Sequence, residues 1–189
     1  MALNRLGDYI ELVDVRNEDG RFGPSDVRGI STAKQFIPTK ANLDGVNLSS
    51  YKVVDGGQFA YVADTSRRGE KIALAFSDEE PCIISSIYTV FRVKDESKLL
   101  PRYLMMFFNR PEFDRYARFN SWGSARETFD WDVLTTTMIP VPDIVIQKAI
   151  ADVSENIVKR QKALDSIRDM VQSSCQILVR EATEEANSI

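Results

Sequence analysis

The decisive stretch crosses a proline pair into a long apolar repeat: Ile139-Pro-Val-Pro-Asp143, then Ile144-Val-Ile-Gln-Lys-Ala-Ile-Ala-Asp-Val-Ser-Glu-Asn-Ile-Val-Lys-Arg-Gln-Lys-Ala-Leu-Asp-Ser-Ile-Arg-Asp-Met-Val-Gln-Ser-Ser-Cys-Gln-Ile-Leu178. Ile146, Ile150, Val153, Ile157, Arg160, Leu164, Ile167, Val171, Ser174 and Leu178 follow one another at alternating spacings of four and three. That is the heptad seam of a helix that packs on another helix. Only Arg160 and Ser174 interrupt its apolar character, while Lys148, Asp152, Glu155, Lys159, Lys162, Asp165, Arg168 and Asp169 keep the remaining faces polar. At about 1.5 Å per residue the seam is roughly 48 Å long, more than a small domain can cover. Ile146, Ile150, Val153, Ile157, Leu164, Ile167, Val171 and Leu178 are therefore the expected dimerisation contacts. The competing reading is an amphipathic helix lying along its own domain.

Upstream of the prolines the plan changes. Pro140 and Pro142 remove backbone donors and push their predecessors into extended geometry, and beyond them neither proline nor glycine recurs through Ile189. The boundary is placed there, giving a globular domain over residues 1–142 and a spacer helix over residues 143–189. Within the first part, Tyr51–Val54 and Gln58–Val62 flank Asp55-Gly-Gly57, which predicts a tight hairpin. Glu70–Phe76 is expected to return after Asp64-Thr-Ser-Arg-Arg-Gly69, lifting Arg67 and Arg68 to a loop tip. Cys82–Val93, apolar at both alternating positions, reads as one central strand. Pro101 and Pro111 each start a helix. In the first helix Tyr103, Leu104, Phe107 and Phe108 form a buried stripe; after Pro111, over a turn or two, Phe113, Tyr116 and Phe119 point one way and Arg115 and Arg118 elsewhere. Asn120-Ser-Trp-Gly-Ser-Ala-Arg126 follows as a loop. The fold class is α+β: a globular domain of short strands and a few helices, then one long coiled-coil helix.

Composition limits the chemistry. The chain has 189 residues, 43% hydrophobic and 10% aromatic, enough for a full core. It contains no histidine, which excludes serine-histidine and cysteine-histidine catalysis and removes the commonest metal ligand. Cys82 and Cys175 lie too far apart in sequence for a CxxC pair, so no metal site is expected. There is no phosphate-binding loop, and no apolar run approaches the roughly 20 residues of a membrane span. The opening residues lack a secretory core, so a soluble cytoplasmic protein without membrane attachment is expected. Glu96-Ser-Lys98 matches the end of a metal-dependent nuclease signature, but three residues at an expected turn carry little weight. No catalytic residue is assigned.

Net charge is −4, yet the basic residues cluster. Arg28–Phe76 holds seven basic residues against four acidic, and Arg102–Arg126 five against two. Such local surpluses are the footprint of a polyanion partner more than the overall sum is.

Six segments in order resemble a known family. They are Leu6-Gly-Asp-Tyr-Ile10, Tyr51-Lys-Val-Val-x-x-Gly57-x-Phe59-Ala-Tyr61, Ser85-x-x-Tyr88-Thr-Val-Phe91, Leu100-Pro-x-Tyr103-Leu, Gly123-Ser-Ala-Arg126, and Ile139-Pro-Val-Pro142 leading to Gln147-x-x-Ile150. Together they resemble the DNA-sequence specificity subunits of type I restriction-modification enzymes, over nearly the whole chain. The resemblance implies a target recognition domain before about residue 142 and a spacer helix after it. In that family two such units stand in tandem, each reading half of a bipartite target. This chain has one unit, which implies a half-length subunit that pairs with itself as a homodimer, or one half of a split subunit.

The resemblance further implies double-stranded DNA as ligand, with methyltransferase subunits holding S-adenosylmethionine and a restriction subunit using ATP as partners. This chain itself would bind neither cofactor and catalyse nothing. A bidentate arginine-guanine contact discriminates by about 1–3 kcal/mol, so Arg67, Arg68 and Arg126 are the expected base readers. Ser121, Gly123 and Ser124 are expected DNA contacts in the small-residue loop that carries Arg126. Lys34, Lys40 and Lys71 are expected at phosphates. Rival readings make Arg67 and Arg68 an exposed turn, Trp122 a core plug and Arg126 the partner of a local carboxylate. At the level of the whole chain, the alternative is a coiled-coil adaptor whose globular part binds protein.

Overall fold

The alternation in Thr89-Val-Phe-Arg-Val93 sends successive side chains to opposite faces: Phe91 and Val93 are buried on one, and Val90 is buried on the other, where Arg92 is exposed. The computed structural model describes residues 3–65, 71–124 and 126–186, with side chains through residue 180. In chain order the strands are β1 Leu3–Arg5, β2 Ile10–Val13, β3 Arg28–Ile30, β4 Phe36–Pro38, β5 Lys52–Val54, β6 Gln58–Tyr61, β7 Leu74–Phe76, β8 Cys82–Ile84, β9 Thr89–Val93 and β10 Met138–Pro140. The α-helices are α1 Pro101–Phe108, α2 Pro111–Phe119, α3 Trp131–Thr136 and α4 Ile144–Ala186. A four-stranded antiparallel sheet in the order β2-β9-β6-β7 forms the centre, and three two-stranded ladders, β1-β10, β3-β4 and β5-β8, surround it.

On one face of that sheet Phe59, Tyr61, Leu74, Phe91 and Val93 join Leu104 and Phe108 of α1, Phe113 of α2, Phe129 and Leu134 in the main core. Phe59 stacks on Phe91 at 5.0 Å between ring centroids, and Phe108 meets both edge-on. The other face carries Ala60, Val90 and Ala75 against Val54, Ile84 and Ile30 of the neighbouring ladders. The chain is therefore α+β, with many short strands before one long helix.

Two strand expectations are corrected. The Asp55–Gln58 turn forms, with Gly57 at φ +81°, but the strands on either side of it diverge. β5 pairs with β8 and β6 with β7 and β9, because Gly57 N–H donates to Ser77 O and so starts the β6-β7 ladder at the turn. Cys82–Val93 is two strands in two sheets. Tyr88 N–H donates to Ser85 O, turning the chain between β8 and β9 and leaving Ile87 exposed. In α2, Phe113 is buried but Phe119 is 78% exposed, because the helix ends at Phe119, beyond the core's reach.

The contacts divide the chain into Met1–Lys148 and Ala149–Ile189. The first turn of α4 thus belongs to the first unit. Asp143 Oδ1 accepts the Val145 amide, an N-cap bond. Gln147, fully buried, donates to Lys98 O and Pro142 O at 2.8 Å each and accepts from Leu100 N at 2.9 Å. The second unit is the rest of α4. Its seam residues Ile150, Val153, Ile157, Leu164, Ile167, Val171 and Leu178 are all exposed, and so is Ile146 one turn earlier. Among the described residues no helix is long and apolar enough to cross a membrane.

Candidate nucleic-acid interface

Residues 63–65 and 127–129 run antiparallel beside the main sheet. Phe129 N donates to Ala63 O at 2.9 Å, and Thr65 gives both its amide, at 3.0 Å, and its hydroxyl, at 3.1 Å, to Glu127 O. Asp64 and Thr128 form the bridge between them. On its other side Thr128 pairs with Trp122 through two backbone bonds of 3.1 and 2.9 Å, which closes a short hairpin. Gly123 makes that closure possible. Its φ is +144°, and a Cβ there would lie 1.9 Å from Arg126 O, so no other residue fits without moving the backbone.

Sequence-distant segments are thereby joined. Thr65, 62 positions before Glu127, is bonded to it beside the Arg126 hairpin. Arg67 and Arg68 themselves lie outside the described residues. Lys71 is exposed, and the next residue is fixed: Ile72 N donates to Asp114 Oδ1 of α2 at 3.2 Å. Arg126 and Ser124 are exposed on the hairpin. Trp122 is 68% exposed, which overturns its reading as a core plug, and Glu127 pairs with Arg118. Lys40 is exposed after β4, and among the described residues no hydrogen bond or ion pair ties it to this cluster.

Two expected contacts are corrected. Lys34 is buried: its Nζ meets Asp114 Oδ1 at 2.8 Å, donates to Phe108 O and lies 6.0 Å from the Phe113 ring centroid. Its charge is spent in the core, because Phe108 O at the end of α1 needs a donor and Asp114 needs a counter-charge. Ser121 is buried too, with its hydroxyl donating to Ala117 O at 2.6 Å across the end of α2. It shapes the hairpin's approach without facing a ligand. Asp114 and Gln147 were not legible as organising residues, since each acts on partners more than 40 positions away.

What the surface offers is donors and an aromatic face. No protein-family model matches this sequence, and no curated protein matches it. Solved structures do. An HsdS subunit from Thermoanaerobacter tengcongensis aligns with TM-score 0.64 at 17% identity, over 94% of this chain and 47% of that one. A structure describing complex assembly and conformational transition of the type I R-M system aligns with TM-score 0.56 at 15% identity, over 94% and 43%. The type I restriction-modification S subunit from M. genitalium gives 0.53 at 13%, over 87% and 41%. The fold is that of an S subunit. The S-subunit fold was the one implied by the sequence resemblance, and this chain spans less than half the length of each of these three structures.

Proposed function

We propose that this chain is a half-length DNA-specificity subunit of a type I restriction-modification system. It reads one half of a bipartite target and pairs through α4 with a second copy or with a separately encoded half. It directs methyltransferase and restriction partners in the cytoplasm and performs no catalysis of its own. S-adenosylmethionine and ATP belong to those partners.

The observation that carries this reading is structural coverage: the globular unit and the long helix together align with under half of solved S subunits. The exposed apolar seam supports pairing, since a stripe from Ile146 to Leu178 is stable only when covered. The hairpin holding Trp122, Ser124 and Arg126 supports DNA contact through an exposed cation and a backbone fixed from both sides. Two-fold pairing makes the target a split palindrome whose gap follows helix length.

The test is selection from a random duplex library by the purified chain, alone and with its methyltransferase subunit. Enrichment of a two-part motif is expected. Enrichment of none under either condition overturns the reading.

A further inference from the structure

Glutamine is a residue type that ordinarily stays in water, yet Gln147 is fully buried. Its neighbours in the first turn of α4 are not: Val145, Ile146 and Lys148 are exposed and Ile144 is half-buried. The Gln147 amide uses both donor hydrogens, on Lys98 O and Pro142 O, and its oxygen accepts from Leu100 N. These partners come from two segments, the loop that enters α1, where Leu100 is the N-cap, and the link that leaves β10.

An apolar side chain of similar length would bury as much surface, so burial alone does not call for glutamine here. What the hydrogen bonds add is direction, because they weaken steeply once donor and acceptor fall out of line. Three bonds diverging from one planar amide fix the rotation of the turn about its axis and its advance along it. In a paired reader that precision has a use, since α4 is one continuous helix from Ile144 to Ala186. At about 1.5 Å per residue the middle of the seam lies roughly 22 Å beyond Gln147, so a tilt of about 10° at the first turn displaces it by about 4 Å. That exceeds the roughly 3.4 Å rise of one base pair.

We propose that Gln147 is a positioning residue for target recognition: by locking the first turn of α4 at one setting, it holds the gap between the two half-sites to one number of base pairs. This rests on the proposed function as a paired DNA reader and deepens it. Helix length sets the gap only when the root of the helix cannot tilt.

The experiment uses the full chain, with its methyltransferase subunit where the selection requires it. Wild type, Gln147→Met, Gln147→Asn and Tyr103→Phe each select from a random duplex library. Affinities are then measured on duplexes that carry the wild type's two half-motifs at its own gap and at gaps one base pair shorter and longer. Gln147→Met keeps the length of the side chain and none of its bonds, while Gln147→Asn keeps the amide but is one methylene shorter. Tyr103→Phe is the control, since it removes the 3.0 Å bond from the Tyr103 hydroxyl to Pro140 O and leaves those of Gln147 in place. All four are expected to enrich the same half-motifs. Wild type and Tyr103→Phe should prefer the wild-type gap by about tenfold or more, and the Gln147 variants by less than about threefold. If the Gln147 variants keep the wild-type gap preference, if Tyr103→Phe loses it as they do, or if the wild type is itself indifferent to the gap, the assignment is wrong while the DNA-reading function stands. Gln147 variants that are folded by circular dichroism but lose the half-motifs place the residue in the reading surface, and the assignment again falls. Failure of both to fold makes the side chain a requirement of the fold and overturns it too. A wild type that selects no two-part motif overturns the functional reading and this inference together.

Discussion

Lys34 and Asp114 show how much one residue pair can decide. With side chains 5% and 11% exposed, the two join the turn between β3 and β4, the end of α1, the first turns of α2 and the Ile72 amide. Removing one member leaves the other charged and buried. Asp114→Ala is expected to destabilise the fold by about 3–5 kcal/mol in urea unfolding. Replacing the pair together, Lys34→Met with Asp114→Asn, should recover most of that loss, because the Asn oxygen still accepts from Ile72. Cysteine chemistry offers a second check. Burial pushes the Cys82 thiol up to about 11, whereas Cys175 is exposed on α4. A raised value keeps Cys82 protonated at pH 8, so an alkylating reagent should label one cysteine per native chain and two in denaturant. Two labelled in the native state would contradict the burial of β8.

At the scale of elements, the helices were written locally and the sheets were not. Pro101, Pro111 and the heptad pattern each specify a helix within their own few turns, and α1, α2 and α4 stand where those signals put them. The strand pairings needed more. Gly56 and Gly57 look like a hairpin between β5 and β6, yet β5 finds β8 some 30 residues on, because the bond from Gly57 to Ser77 commits β6 to β7. The start of α4 is held likewise by a distant clamp. Gln147→Ala removes three hydrogen bonds and orphans the Leu100 amide, and should cost about 2 kcal/mol by chemical denaturation with little change in helix content. The seam itself is testable independently. Replacing Ile157 and Leu164 by Asp introduces charge into any apolar interface formed there, and sedimentation should then find monomers. Dimers that persist would place the contact elsewhere.

For the whole molecule, a globular unit is followed by a helix with a bare apolar stripe, and the chain is similar to S-subunit structures over 94% of its length. The sequence by itself determined the α+β class, the long helix after Pro142 with its seam from Ile146 to Leu178, and the absence of histidine chemistry. These are properties of periodicity and composition, and neighbouring residues suffice to set them. Only the tertiary structure decided that Lys34 is spent inside, that Ser121 ends a helix, that Trp122 stands in water, and that Thr65 is bonded to Glu127 beside the Arg126 hairpin. Each of those outcomes depends on which carbonyl, carboxylate or ring arrives from another part of the chain. Burial and pairing are set by the closure of long loops around one core, and no local pattern encodes the partner at the far end.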